Sequence, residues 1–473
     1  MQRQTQAENR LPGTLDWQLT RFQFDYPGHM QASPIIRGLR SSTIEGYASR
    51  TSVYPGDTLE LMVSVQPEAG FEIDIYRMGY YDGLGGRHLL HLGTFEGRRQ
   101  PMPMETIERL RECDWEPAVT LTIPDDWASG VYLAKLTKGT APHAQSYIVF
   151  VVKSRRRAQV LVQVSDLTWQ AYNKWPGANS IYDDGTPDMW YTGDKVRVSF
   201  DRPYAKYCQI VDAPLSCGSG EFLLWEFPLA YWLEAEGYEV TYCSNLDTHH
   251  DPDLLLSCEV FISVGHDEYW TREMYDNVSR ARDAGVSLLF LSGNTMYHEI
   301  LPYTRKEGEP FRSFARRRYF QDEQELMGAS SFGPGYGDWT CVQPDHWVFE
   351  GTGMQAGDRI PGLIGWEYHG EPFKAIRGLE VLARSDLAGQ QSEDPVRGFG
   401  VRPKGDGRHA AVLYPGPRGN WVFNAGTIWW AEGLSSPPGH IPAMGDIGRV
   451  QGPDRRVQQI TRNLLAKCLS KGV

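Results

Sequence analysis

The 473-residue sequence predicts two folded regions in series, an antiparallel β-sandwich followed by a three-layer α/β domain. Three observations predict it. Between Ile44 and Val152 the chain is a series of short period-two apolar runs separated by turn residues, the pattern of strands with one buried face. After Arg157 the period changes, and fully apolar runs alternate with helical segments, as in a largely parallel sheet covered on both sides. The length also exceeds one ordinary core, at a prior of roughly 150 residues per domain.

Composition narrows the class. A hydrophobic content of 41% and an aromatic content of 12% are those of a folded globular chain. The net charge of -12 argues against nucleic-acid or anionic-membrane binding, which require concentrated positive charge. The basic run Ser154-Arg-Arg-Arg157 is short and reads as a solvated connector. No stretch is long and apolar enough to cross a bilayer, and residues 1–10 lack the apolar core of a signal peptide, so a cytoplasmic protein is expected. Seven cysteines without CxxC spacing argue against a disulfide framework or a cysteine-built zinc site. Cys208 and Cys217 could pair across their loop, but free thiols are the expected state.

In chain order, residues 1–40 are expected to be an irregular lead-in packed on another domain or subunit. The β-sandwich spans 41–153. Its strands are Ile44–Ala48, Thr58–Val65 after the Pro55-Gly-Asp57 turn, Phe71–Arg77, Ala118–Ile123, Gly130–Leu136 and Ser146–Val152. The aromatic, glycine-rich stretch Tyr76–Gly86 reads as a tight hairpin against the next domain in preference to a carbohydrate site. The α/β domain spans 158–473. It opens with the strand Gln159–Val164, then an amphipathic helix Phe222–Glu236, a strand Glu239–Cys243 and a helix beginning at Asp251-Pro252. The apolar strand Val260–Val264, a helix over Arg272–Ala284 and the strand Val286–Leu291 follow, an order that predicts a flavodoxin-like sheet. A loop-rich excursion at about 305–408 precedes a hairpin of Ala411–Tyr414 with Gly419–Ala425, and a helix from Asp454 to Cys468 closes the domain.

Chemistry concentrates where strands end. Open α/β sheets bind ligands at the carboxyl ends of their strands, and three such ends carry polar clusters: Asp166–Trp175, Gly265–Tyr269 and Ser292–Tyr297. Val198–Tyr204 is a fourth segment, in a long loop. His266 and Glu268 lie two apart and so point to one side of an extended chain. Two ionisable groups at the end of an apolar strand need partners, which a buried ion pair with Arg202 would supply as well as a catalytic site would. A tyrosine beside a strand is most often core packing. His249-His250 reads as a solvated pair, and Trp429-Trp430 as packing.

The domain plan is similar to that of class I glutamine amidotransferases, whose nucleophilic cysteine sits on a Gly-x-Cys-x-Gly elbow. None of the seven cysteines has that context, and the comparable turn carries Asn294, so thiol catalysis is not supported. Taken together, Thr168-Trp-Gln-Ala-Tyr-Asn173, Ser199-Phe-Asp-Arg-Pro-Tyr204, Gly265-His-Asp-Glu-Tyr-Trp270 and Leu291-Ser-Gly-Asn294 resemble the catalytic domain of the large (β) subunit of N,N-dimethylformamidase. Ile44-Glu-Gly-Tyr47 and Ile75-Tyr-Arg-Met-Gly-Tyr80 resemble that family's preceding β-domain. The resemblance implies a mononuclear ferric iron held by Tyr172, Tyr204 and Glu268, with His266, Asn294 and Glu367 as catalytic residues. Tyr207 competes with Tyr204, and Glu432 with Glu367.

The donor set has its own logic. A phenol with a pKa near 10 ligates well only when a strongly Lewis-acidic cation removes its proton, and two phenolates with one carboxylate balance the charge of ferric iron. Such an ion polarises an amide carbonyl and acidifies water, His266 moves protons or orients the water, Asn294 hydrogen-bonds the developing oxyanion, and Glu367 serves as base and then acid. The expected function is iron-dependent hydrolysis of a small neutral amide, N-substituted formamides first, by a homo-oligomer with a small companion subunit in view. The alternatives are another small amide on the same scaffold, or a non-catalytic ligand-binding or scaffold protein.

Overall fold

The computed structural model describes residues 4–21, 40–186, 191–205, 216–305, 309–332, 335–365, 367–387, 407–440 and 452–470, with the backbone of 207–208 and 211–212. The protein is a mixed multi-sheet β and α/β molecule. Its amino-terminal part holds two sheets. A three-stranded antiparallel sheet joins Ile44–Ala48, Thr58–Val65 and Pro117–Thr122. A five-stranded sheet runs Ser52–Val53, Ala144–Val152, Gly130–Lys138, Gly70–Met78 and Gly86–Glu96. Leu59, Leu61, Ile73, Ile75, Leu136 and Phe150 come from both sheets and share one apolar core, so the alternation legible in the sequence becomes a common interior.

Gly86–Glu96 is a long strand that the periodicity did not mark: Leu89, Leu90, Leu92 and Phe95 pack on the core, but His91, Gly93 and Thr94 interrupt the alternation and only its first residue is fully buried. The turn before it, Tyr81–Gly83, closes the expected hairpin, and Tyr80 meets Tyr231 of the α/β part edge-on at 5.1 Å. Arg77 and Glu234 form a fully buried ion pair at 2.8 Å between the same two regions. Residues 4–21 pack there too, with Trp17 edge-on to Phe227 and Thr5 bonded to Glu239 and Val240; residues 22–39 of the expected lead-in lie outside the described residues.

The α/β part is organised on a seven-stranded sheet in the order Val240–Ser244, Ala158–Val164, Cys258–His266, Ser287–Gly293, Trp421–Asn424, Arg408–Pro415 and Glu380–Asp386. The first five are parallel and the last two antiparallel. Cys258–His266 is buried over almost its whole length, as an apolar strand with neighbours on both sides must be. Strand order reverses between Ala158–Val164 and Cys258–His266, the position at whose carboxyl ends sheets of this kind bind ligands.

Several expectations need correction. Within the loop-rich segment 305–408 the described residues include regular elements that the periodicity did not mark: Ser313–Tyr319 pairs with His298–Tyr303, a helix covers Glu323–Met327, and Glu380–Asp386 supplies the edge strand of the main sheet. Glycine, proline and aromatic residues there mark short strands with frequent turns, which carry too few residues each to show a period. Where a helix was expected from Asp251 the chain makes only a 3-10 turn over Leu254–Ser257, and an unmarked α-helix covers Asn245–His250 just before it, started by a reciprocal capping box of Ser244 and Asp247. Phe222–Glu236 is two helical pieces, Phe222–Trp225 and Phe227–Ala235, with Pro228 in the first turn of the second. The helices Arg272–Ala284 and Arg455–Leu469 stand where the apolar pattern puts them. Among the described residues no helix is long and apolar enough to cross a membrane.

Candidate active site

The site is built at the tip of Cys258–His266, where a parallel register sets His266 opposite Gly293. Gly265 has φ 69°, and a Cβ there would fall 2.6 Å from Trp225 Cβ, so only glycine allows the strand to turn at this point. Beyond it the side chains separate as strand alternation requires. Asp267 faces inward and accepts from Gln163 Nε2 at 2.7 Å, Ser263 Oγ at 2.9 Å and Asn245 Nδ2 at 3.1 Å. Burial nevertheless lifts its pKa to about 6. His266 and Glu268 lie together at the buried tip, with His266 Nε2 3.2 Å from Glu268 Oε2.

Three other elements bring groups to this tip. The helix Asp166–Tyr172 follows the neighbouring strand, and Thr168 Oγ1 accepts the Glu268 N–H at 3.0 Å, fixing the helix to the tip. Its last residue, Tyr172, donates to Glu268 Oε2 at 2.6 Å. Glu367 comes from the segment before Tyr368–Gly370 and sets Oε2 2.6 Å from His266 Nε2. Donor atoms of His266, Glu268 and Glu367 lie within 4.8 Å of one another, the one such group of potential metal ligands among the described residues. Asn294 sits in the turn just after Gly293 with φ 53°, buried, and its carboxamide oxygen has no hydrogen-bond partner among the described residues.

The sequence did not point to Tyr182. Its hydroxyl lies 2.7 Å from that of Tyr172, 3.3 Å from Glu268 Oε1, and accepts from Tyr269 at 2.7 Å. The Arg316 guanidinium stacks 4.1 Å from the Tyr182 ring centroid and reaches Tyr269 Oη, and His298 Nε2 stands 3.5 Å from Glu268 Oε1. Nothing in the local sequence Ser180-Ile-Tyr182 signals this role; the residue arrives by loop geometry. That loop is anchored by Arg202, whose guanidinium donates to the carbonyls of Gln170, Asn173, Trp175, Asn179 and Ser199 and to Gln170 Oε1 at 2.8–3.1 Å. Arg202 is therefore a backbone clamp, and the buried ion pair with Glu268 weighed from sequence is not formed.

Tyr204 is not brought into contact with Glu268 or Tyr172. Its ring lies edge-on to Trp169 at 6.2 Å, and it lines a small cavity with Asp166, Arg202 and Arg312 between the α/β part and the amino-terminal sheets. The Tyr207 side chain falls outside the described residues. Glu432 is buried on the short turn Trp430–Gly433. Trp430 is core, with Nε1 on Thr461 Oγ1, while Trp429 crowds Gly365, near Glu367. His249 bonds Thr271 Oγ1 through Nδ1, a structural contact.

Electrostatics here are those of a site short of positive charge. Burial pushes the Tyr172 and Tyr182 phenols well above their ordinary range, and Glu268 pushes them further. Burial works to lower the His266 pKa, but Glu367 and Glu268 outweigh it and hold the imidazole well above its usual value. Two carboxylates and two phenols thus converge on one buried point, with one imidazole between the carboxylates. Hard oxygen donors in that number suit a highly charged cation, which would reverse the phenols' preference for their neutral form.

Residues 72–443 match the family model described as N,N-dimethylformamidase beta subunit-like, C-terminal. No curated protein matches the chain.

Proposed function

The chain belongs to the N,N-dimethylformamidase beta subunit-like family, and on that premise we propose that it is an amidohydrolase that cleaves a small neutral amide, N-substituted formamides first, with a mononuclear ferric ion. The observation that carries the proposal is the convergence of Tyr172, Tyr182, Glu268, His266 and Glu367 at the tip of the central strand. Tyr172 and Glu268 would hold the metal with a second phenol, and the contact with Glu268 favours Tyr182 over Tyr204 for that place. When bound, the ion supplies Lewis acidity toward the amide carbonyl and toward water.

The chain's own groups account for the proton movements. Water adds to the amide carbon, and Glu367 takes its proton, with His266 holding the carboxylate in place through the 2.6 Å contact. The carbonyl oxygen gains charge, and the Asn294 carboxamide, which makes no hydrogen bond to the described residues, is free to donate to it. The C–N bond then breaks, Glu367 returns the proton to the departing nitrogen, and a carboxylic acid and an amine leave. The buried setting favours a small, uncharged substrate. In the same reading the two amino-terminal sheets form a β-sandwich, and the seven-stranded sheet with its helices is a flavodoxin-like, amidotransferase-like domain without the cysteine. The family's description as a beta subunit fits a companion subunit beside a homo-oligomer of this chain.

A second reading has one observation in its favour. His266, Glu268 and Glu367 alone form a ligand set suited to a divalent ion, with the tyrosines as hydrogen-bond donors. Metal analysis with a visible spectrum separates the two, because ferric tyrosinate gives a charge-transfer band and a divalent His–Glu–Glu centre does not. Formate and amine release from N-substituted formamides tests the substrate class. Iron present without formamide cleavage would favour another amide, and a colourless, iron-free protein prepared with iron available would sink the leading reading.

A further inference from the structure

The turn that carries Asn294 is held in an uncommon conformation from behind. Asn294 and Met296 both have left-handed backbones, φ 53° and 54°, which non-glycine residues keep only when their surroundings enforce it. Thr295 between them is bound on every polar group. Its N–H donates to His369 Nε2 at 3.0 Å, its carbonyl accepts from Ser331 Oγ at 2.5 Å, and its hydroxyl meets Ser292 Oγ at 2.6 Å.

The tautomer of His369 is dictated by groups that cannot change roles. Asn424 Oδ1 accepts the Gly426 N–H at 2.9 Å, and Asn424 Nδ2 donates to the Met327 carbonyl at 3.3 Å, so the carboxamide has one orientation. His369 Nδ1, 2.7 Å from that oxygen, must carry the proton. Nε2 is then a bare lone pair, the form needed to accept the Thr295 N–H. His369 is wholly buried in Tyr368–Gly370, two residues after Glu367, and its own N–H is held by the Gly426 carbonyl at 3.0 Å. The two segments also touch directly: a Cβ at Gly293 would fall 2.5 Å from the Glu367 carbonyl oxygen.

We infer that His369 is a positioning residue, fixed as its Nδ1–H tautomer by Asn424, that locks the Asn294 turn to the Glu367 segment so that both side chains address one substrate. The inference rests on the amidohydrolase reading for the roles of Asn294 and Glu367, but the lock itself is a property of the chain. It explains why a histidine stands in a wholly buried strand position, where an apolar residue would leave the Thr295 N–H and the strained turn unsupported.

Hydrogen exchange read by mass spectrometry on the metal-loaded, full-length protein tests the lock without activity. His369→Phe should accelerate exchange in the peptide spanning 292–297, while His369→Gln, which keeps an acceptor and a donor, should restore much of the protection. Asn424→Leu, which frees the imidazole to choose its tautomer, should act in the same direction and serves if His369→Phe does not fold. In turnover, His369→Phe should lower kcat about 10- to 100-fold with KM little changed, the scale for groups that orient others. In an Asn294→Ala background the same change should lower it by less than about twofold further. Unchanged exchange at 292–297 in the variants, or additive losses in the double variant, would overturn the inference. A wild-type protein that cleaves no amide removes the functional reading, while the exchange result still decides whether His369 holds the turn.

Discussion

Arg202 and Glu268 are both buried and both charged, and their surroundings differ in kind. Arg202 is a single cation enclosed by neutral oxygens, with its donors matched by carbonyls and the Gln170 side chain at ordinary distances. Burial lowers its pKa to about 10, but each of its own N–H groups meets an acceptor. Glu268 stands beside a second carboxylate, two phenols and an imidazole whose proton both acids claim. A polar group surrounded by its complement stabilises a loop; two buried carboxylates sharing one imidazole, with phenols turned toward them, make a setting suited to an added cation. The comparison teaches that burial of charge by itself does not mark a site. What marks it is the crowding of several titratable groups on one buried point, where each shifts its neighbours' protonation.

The largest expected effect breaks the second cluster. Glu268→Gln should remove most bound metal and lower amide turnover by about 10²–10³-fold or more, the scale of losing a group that acts on developing charge. Metal content and initial rates on the same preparation check it. Breaking the first cluster should move stability and leave metal chemistry alone. Arg202→Met strands several buried carbonyls at about 1–3 kcal/mol each, less what relaxation and water recover, so a loss of several kcal/mol is expected in denaturant titration. A variant that keeps wild-type stability would show that the loop does not depend on the clamp.

A finer contrast lies between two tyrosines. Tyr182→Phe should shift or weaken a ferric charge-transfer band and lower turnover about 10- to 100-fold, the range for disturbing a metal's immediate support. Tyr204→Phe should leave the band in place. The reverse pattern would return the second phenol to the residue favoured by the sequence motif.

An effect visible only through its pH dependence concerns Asp166, behind the site and bonded to the Asn245 backbone N–H. Burial lifts its pKa to about 8, with Asp247 adding to the shift, so the folded protein holds a proton there that the unfolded chain releases near 3.8. The native state then binds more protons between those values. Stability from this group is full below about 4 and falls as pH rises toward 8. Asp166→Asn should therefore match wild type near pH 4 and exceed it by an increasing margin as pH rises toward 8, as read by thermal melts across that range. Equal differences at both ends would mean that the carboxyl is ionised in the folded state.

Much of the α/β frame was legible because its strands are short apolar runs between helices, and the run ending at Val264 could hardly be anything but a central strand. His266, Glu268 and Asn294 were legible for a related reason, since polar groups at the carboxyl end of an apolar strand are costly to bury unless partners meet them there. Tyr172 was legible from its motif, and it does reach Glu268. Glu367 lies in a segment without periodicity and came only through resemblance, yet its carboxylate contacts His266. The strand Gly86–Glu96 and the edge strand Glu380–Asp386 escaped because neither carries an unbroken apolar face.

The sequence by itself determined the alternation of strands and helices and the identity of the groups at the central strand's tip, because both follow from local period and from the rule that side chains two apart share a face. Tertiary structure alone decided which phenol meets Glu268 beside Tyr172. Tyr182 and Tyr204 sit in the same long connection, and on paper only Tyr204 carried a motif. The choice between them depends on how that connection is folded around Arg202, and the geometry of a loop is fixed by contacts with carbonyls far along the chain, which no local pattern records.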